Sequence, residues 1–399
     1  METIKDFFES LSKARENGFA EMEQLKNSGK KVVGSYCLFA PYEVIAASGA
    51  LPVSLCGMKE EPIAHAEKHL PRNLCPLIKS SYGYAITGTC PYFFHADLVV
   101  GETTCDGKKK MFEYLGAIAP VHVMRLPHAN SRKEDFANWR QEIVYLKERI
   151  EQEFGTDITE ENLQDAIAEK NEERRVFREF YELSKLDPPP LSGLEVFRVL
   201  FSSGYAFDKK KQIETIRNLI SAVKAAYTEG SLRTQSGRPR ILITGCPIGG
   251  ATEKVLRIVE ESGGTIVCYE NCGGTRDREE LVSEQGDPLS ALAAKYLNIA
   301  CSCMSPNDNR ITMLSRLIDE YRADGVIDVI LQACHTYNME THRIKEFVRQ
   351  EKHIPYMSIE TDYSQSDEGQ LSTRVRAFIE MMETQGRKRQ KIDTTEATE

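Results

Sequence analysis

The stretch His95–Leu115, "HADLVVGETTCDGKKKMFEYL", decides how the N-terminal part of the chain is read. Leu98, Val99 and Val100 form a short apolar run suited to a buried strand, and Gly101 to Gly107 carries turn chemistry. Met111, Phe112 and Leu115 then recur at helical spacing. Cys105 therefore stands between a strand and a helix, with Lys108, Lys109 and Lys110 in that helix's first turn. Cations are unfavourable there, because the aligned peptide dipoles already make that end positive. A thiol and a run of lysines at one helix start call for something negative beside them.

The same alternation extends outward. From Lys31 to Leu126 the strands "KVVGSY", "LPVSLC", "ADLVV" and "APVHVMRL" are separated by helical stretches. A second alternating region begins at "RPRILITGCPIGG", with strands "RILITG", "GTIVCYE", "GVIDVIL" and "IPYMSIE". Strands alternating with helices specify an α/β protein with parallel sheets. Between the two regions Ile143, Leu146 and Ile150, then Leu163 and Ile167, recur at helical spacing, with Thr159 as an N-cap. "LDPPPLSG" interrupts that run before "IETIRNLISAVKAAYTEG" resumes it. The expected organisation is an N-terminal helix plus a first α/β domain over 1–130, a helical region over 131–235, and a second α/β domain over 236–383. The polar tail 384–399 is expected to be disordered.

A chain of 399 residues exceeds one ordinary core. Its net charge of −9 argues against general nucleic-acid binding, which uses a basic face. The opening "METIKDFFESLSKARENG" lacks the apolar segment of a signal peptide, and no apolar run reaches the length of a membrane span. A cytoplasmic protein with neither nucleic acid nor membrane as partner is expected. In that reducing compartment 11 cysteines, an odd number, do not form a disulfide framework. They are buried structural thiols mixed with metal or redox ligands.

Their placement is the main functional signal. Cys37 follows "KVVGSY", Cys105 follows "ADLVV", Cys246 follows "RILITG", Cys272 follows "TIVCYE" and Cys334 follows "GVIDVILQA". Cys75 precedes a helix that opens with Pro76, and Cys301 and Cys303 precede "MSPNDNRITMLSRLIDEY". In open parallel sheets, ligands bind outside the carboxyl ends of the strands. Helix N-termini there favour anions and lower thiol pKa values. A thiolate-held iron–sulfur cluster is such an anion. Zinc ribbons and ferredoxins use compact C-x-x-C sets, whereas these cysteines are scattered over both α/β regions. Cys56 and Cys268, inside apolar strand patterns, read as core, and for Cys90 core packing ranks ahead of ligation.

The stretches "CLFAPYEVIAASGALPV", "ADLVVGETTCDGKKKMFEYL", "ITGCPIGGATEKVLRIVEESGGTIVCYENCGG", "LQACHTYNMETHRIKEFV" and "IETDYSQSDEGQLSTRVRAFIEMM" together resemble the benzoyl-CoA reductase and 2-hydroxyacyl-CoA dehydratase family. The resemblance implies two flavodoxin-like parallel-sheet domains with an additional helical region, and a cubane cluster between domains. In the dehydratase subunits a single 4Fe–4S cluster is held mainly by three cysteines, which correspond here to Cys37, Cys105 and Cys334. The further Cys75, Cys272 and one of Cys301 or Cys303 make the chain most similar to the double-cubane cluster proteins, with Cys246 in reserve. By the same resemblance the protein is a homodimer fed with electrons by a separate ATP-hydrolysing iron–sulfur activator, acting on a small-molecule or acyl-CoA substrate. ATP then belongs to that partner, which agrees with the lack of a G-x-x-x-x-G-K-[ST] loop here. A 2-hydroxyacyl-CoA dehydratase subunit and a non-catalytic electron carrier are the alternatives.

Beyond the cysteines, Glu360, His335 and Arg374 are candidate groups for proton delivery or substrate contact. Lys108 and Gly273 are candidates for contacting the cofactor. The competing readings are capping and surface ion pairs for Arg374, and a solvated face for Lys108 to Lys110.

Overall fold

Strands form where the alternation predicts them. The computed structural model describes residues 4–396, with side chains described as far as residue 384. The strands are β1 (Val32–Ser35), β2 (Leu51–Ser54), β3 (Leu98–Glu102) and β4 (Val121–Met124), then β5 (Arg240–Gly245), β6 (Thr265–Glu270), β7 (Gly325–Leu331) and β8 (Tyr356–Thr361). They build two four-stranded sheets, ordered β2-β1-β3-β4 and β6-β5-β7-β8. Every pairing is parallel. Both sheets thus have the flavodoxin-like order, in which chain direction across the sheet reverses between β1 and β3 and between β5 and β7. Ligands bind at such reversals, because the loops leaving the two strands part to opposite faces. Strands β3, β5, β6 and β7 are buried along their whole length, as helices on both faces require.

The helical segments between the sheets run over Lys133–Phe154, Glu160–Glu182, Gly193–Ser202 and Lys209–Thr228. Thr159 caps the second of them, its side chain accepting from the Asn162 N–H at 3.1 Å. These helices are shared between the cores of the two sheets. Trp139, Ile143, Leu146 and Ile167 pack with the first, and Val176, Phe177, Phe180 and Ile213 with the second. The helix Glu160–Glu182 therefore bridges both. Phe7, from the first helix Ile4–Leu11, joins the second core. The last helix, Glu368–Glu396, runs on into the segment expected to be disordered, and residues 397–399 lie outside the described part.

The Gly-rich turn after β5 serves the contact between the two halves. Gly250 has φ +51°, and a Cβ there would lie 2.3 Å from the carbonyl oxygen of Met58. The Ala251 N–H donates to that oxygen at 3.0 Å. The Tyr363 hydroxyl donates to the Gly57 carbonyl at 3.2 Å in a second such contact. Among the described residues no helix is long and apolar enough to cross a membrane.

Candidate metal centre

The strand ends of the two sheets face one cavity of about 1000 Å³. Every cysteine except Cys268 lines it, and all are free thiols. Cys268 points into the second core, as its strand pattern predicts. Cys90 packs in the first core, as expected, while the strand-core reading fails for Cys56. Cys56 lies past the end of β2 and donates to the Tyr36 carbonyl at 3.1 Å, and Cys90 starts the short helix Pro91–His95 at the cavity wall.

Two sets of interacting thiols emerge. The first contains Cys37, Cys272, Cys301 and Cys303. Burial pushes the Cys37 thiol up, Lys108 opposes this, and nearby Cys272 and Cys301 add to the rise. A hydrogen bond from Cys303 holds Cys301 down at about 6, with help from Arg276 and the Tyr337 hydroxyl, which lies 3.7 Å from its Sγ. Burial pushes Cys272 up to about 12, against the pull of Arg276, whose Nη1 lies 3.5 Å from the sulfur. The loop that carries Cys37 runs into the short helix Tyr42–Ala47, which is fixed by a buried pair between Arg174 and Glu43 at 2.8 Å. Tyr296 also donates to Glu43, at 2.7 Å, so the helical region and the second half both hold this loop in place.

The second set contains Cys75, Cys105, Cys246 and Cys334. Cys75, Cys105 and Cys334 each occupy the N-cap of a helix, over Pro76–Thr87, Asp106–Leu115 and His335–Glu346. The thiols of Cys246 and Cys75 donate to Cys334 and hold it far below the usual thiol range despite burial. The Tyr337 N–H and the Thr336 hydroxyl, 3.8 Å from its Sγ, act the same way. Cys246 is itself fixed by the Leu331 N–H at 3.3 Å. Burial raises Cys105, opposed by the N–H groups of Lys108 and Gly107, and Cys334 lies close enough to perturb it.

Of the lysine run, only Lys108 turns inward. It is 8% exposed, and its ammonium donates to the Tyr36 carbonyl at 2.8 Å. Burial works against its charge, but Cys37, Cys56, Glu102 and Cys105 more than offset this. Lys109 and Lys110 instead pair with Asp106 at 2.6 Å and Glu113 at 2.7 Å on the surface. Gly273, at φ +82°, and His335 both line the cavity, with His335 on its exposed rim.

Glu360 and Arg374 do not reach the crevice. Strand β8 is the edge of its sheet, and Glu360 near its end faces solvent although the neighbouring Thr361 is buried. Glu360 is exposed and accepts from Asn338 at 3.3 Å, while Arg374 donates to the Ser358 carbonyl at 2.9 Å. Groups that the sequence pattern does not single out take their place. Glu102, at the end of β3, is fully buried. One oxygen accepts from the Ala40 N–H at 2.7 Å, the other has no partner, and burial pushes the carboxyl up to about 7. A carboxylate that ends an apolar strand is its one signal in the sequence. Arg276, four residues after Cys272, carries none.

The donor chemistry fits an iron–sulfur group. Soft thiolates, N–H donors and buried cations surround one cavity, and thiolate ligation with hydrogen bonds to sulfur is what such clusters use. Among the described residues no three His, Cys, Asp or Glu side chains converge on a single-ion position. Thiols spread around a cavity suit a cluster, because its irons take separate thiolates.

Fold and site together define an α/β protein of two flavodoxin-like sheets sharing a thiol-lined cavity at their strand ends. Residues 37–382 match the family described as 2-hydroxyglutaryl-CoA dehydratase, D-component, and the chain belongs to this benzoyl-CoA reductase and 2-hydroxyacyl-CoA dehydratase family. It is 54% identical over 377 residues to a protein of Escherichia coli K12 provisionally named dehydratase subunit YjiM, covering 94% of this chain and 97% of that one. Identity is 26% over 365 residues to the (R)-phenyllactyl-CoA dehydratase beta subunit of Clostridium sporogenes, covering 90% and 94%. It is 22% over 338 residues to one of the subunits of benzoyl-CoA reductase from Thauera aromatica, covering 82% and 85%.

Proposed function

We propose that this chain is an iron–sulfur protein of the double-cubane type, which receives low-potential electrons from an ATP-hydrolysing activator and reduces a small substrate in the shared cavity. The observation that carries the reading is the convergence of two thiol sets, each drawn from both sheets, on one cavity. Cys37, Cys272 and Cys301 would hold one half of the cofactor, and Cys75, Cys105 and Cys334 the other. Cys301 is preferred to Cys303, because it is the one buried beside the Tyr337 hydroxyl, 3.7 Å from its Sγ, and near Arg276. Cys246 and Cys75 both donate to Cys334, so that bond does not separate them; Cys75 is taken as the ligand from the family resemblance, with Cys246 in reserve. When bound, the cofactor supplies low-potential electrons one at a time.

The chain's own groups do the rest. Lys108 and Arg276 offset negative charge that would otherwise be costly in a buried cavity. His335, on the rim, puts an imidazole between solvent and the thiols. Such a group is suited to delivering the proton that accompanies each electron. ATP belongs to the activator, and the chain works as a homodimer in the cytoplasm.

The names of the relatives favour a second reading, a subunit of a 2-hydroxyacyl-CoA dehydratase. An anoxic assay with activator and ATP separates the two. Under the first reading the chain alone consumes electrons in proportion to reduced product. Dehydration of a 2-hydroxyacyl-CoA that needs a second, related subunit and only catalytic electrons would replace it with the second.

A further inference from the structure

A buried ion network closes the second half behind the first thiol set. Glu270 and Arg310 are 0% exposed and Arg276 is 3% exposed. Buried ions carry a penalty of several kcal/mol each unless they are well paired, so the placement needs a reason. Arg310 is occupied entirely within the network, by Glu270 at 3.4 Å, Asp328 at 3.6 Å, Glu340 and the Thr244 hydroxyl.

Arg276 differs. Its Nε and Nη2 grip one oxygen of Glu270 at 2.9 and 2.8 Å, which fixes the plane of the guanidinium. Its Nη1 then faces the thiols, donating to Cys272 Sγ at 3.5 Å and to the hydroxyl oxygen of Tyr337. A guanidinium cannot accept a hydrogen bond, so the Tyr337 oxygen is the acceptor. Its proton is free for Cys301 Sγ, 3.7 Å away. One fixed cation therefore reaches two thiols of the first set, one directly and one through a polarised hydroxyl. Among the described residues no guanidinium or ammonium hydrogen-bonds a thiol of the second set, where the donors are thiols, the Thr336 hydroxyl and backbone N–H groups.

We propose that Arg276, aimed by Glu270, is a positioning residue for charge. By donating to Cys272 and, through Tyr337, to Cys301, it makes the cofactor half on the first set easier to reduce than the half on the second. The first electron taken from a low-potential reductant then resides on the Arg276 side. This inference rests on the cluster reading above. Its basis is that hydrogen bonds and positive charge at the ligating sulfurs stabilise the reduced, more negative state.

The test is an anoxic redox titration of the reconstituted protein, followed by electron paramagnetic resonance. It compares the natural chain with Arg276→Gln, Arg276→Lys and Tyr337→Phe, with iron per chain measured on each. Arg276→Gln is expected to retain its iron and to lower the equilibrium constant of the first reduction at least tenfold, or ~59 mV for one electron. The second reduction step should shift less. Tyr337→Phe should lower the first step by a smaller factor, and Arg276→Lys should restore most of the loss. Unchanged midpoints in an iron-replete Arg276→Gln overturn the proposal, as does an equal shift of both steps. Should Arg276→Gln fail to fold, Tyr337→Phe still decides, because it keeps the Arg276–Glu270 pair and an unmoved first midpoint there refutes the idea. If the natural chain itself takes up no iron, the cluster reading falls first, a failure visible before any variant is compared.

Discussion

The two thiol sets line one cavity yet favour thiolates by different means. Those of the second set that sit at helix N-caps, Cys75, Cys105 and Cys334, use local N–H groups, and Cys334 adds donated S–H bonds. The first set sits in loops; Cys301 also takes a bond from Cys303, but the set adds side chains brought from elsewhere: Arg276, Tyr337 and Lys108. Helix dipoles are fixed by the fold and act within about a turn. A buried guanidinium provides a full charge but needs its own carboxylate, here Glu270, to hold it in place. The second set is therefore built into the sheets' topology, and the first depends on particular residues that substitution can remove.

The comparison can be broken most forcefully at Cys334, the centre of the second set. Cys334→Ser should lose about half of the iron, as expected where the thiolates of one set hold one cubane. Full iron retention, measured after anoxic reconstitution, would deny the set its centre. A smaller, paired effect is expected from Cys75→Ser and Cys272→Ser. Each should lower the iron content while leaving the other set's cubane, so their paramagnetic spectra should differ; identical spectra would mean that the sets are not separate.

A finer distinction lies within the first set. Cys301→Ser should lower the iron per chain, whereas Cys303→Ser should keep it and change only the spectrum, because its role is to donate to Cys301. The reverse result would exchange the two assignments.

The smallest effect concerns the metal-free protein. Burial raises Glu102 from 4.5 to about 7, so between these values the folded chain binds more protons than the unfolded one. That contribution to stability is complete below the lower value and is lost as pH rises through the upper. Glu102→Gln keeps the acceptor for the Ala40 N–H and should flatten this slope by about 3 kcal/mol, read by denaturant unfolding at about pH 5 and about pH 8. A slope unchanged in the variant would remove Glu102 from the account.

Local pattern makes the strands and the cysteine junctions legible. Short apolar runs ending in a thiol mark a sheet's carboxyl edge whatever the rest of the chain does, and Cys37, Cys105 and Cys334 are recognisable that way. The lysine run is legible only in part, because consecutive helical residues point about 100° apart and a helix can turn only one of three inward. Pattern misplaces Glu360 and Arg374 because strand order is non-local: nothing in "IPYMSIE" reveals that β8 is an edge. Arg276 is illegible for the same reason. Its partners Glu270 and Cys272 lie beside it in the chain, but Tyr337, through which it reaches Cys301, comes from the helix after β7 and meets it only in the fold.

The central claim is that thiols from both sheets meet around one inorganic cofactor, and metal analysis of the anoxically purified chain tests it most directly. About eight irons per chain with matching acid-labile sulfide is the expected result for six ligating cysteines in two sets. About four irons would contradict the two-set account, and zinc or no iron after anoxic reconstitution would contradict the claim itself.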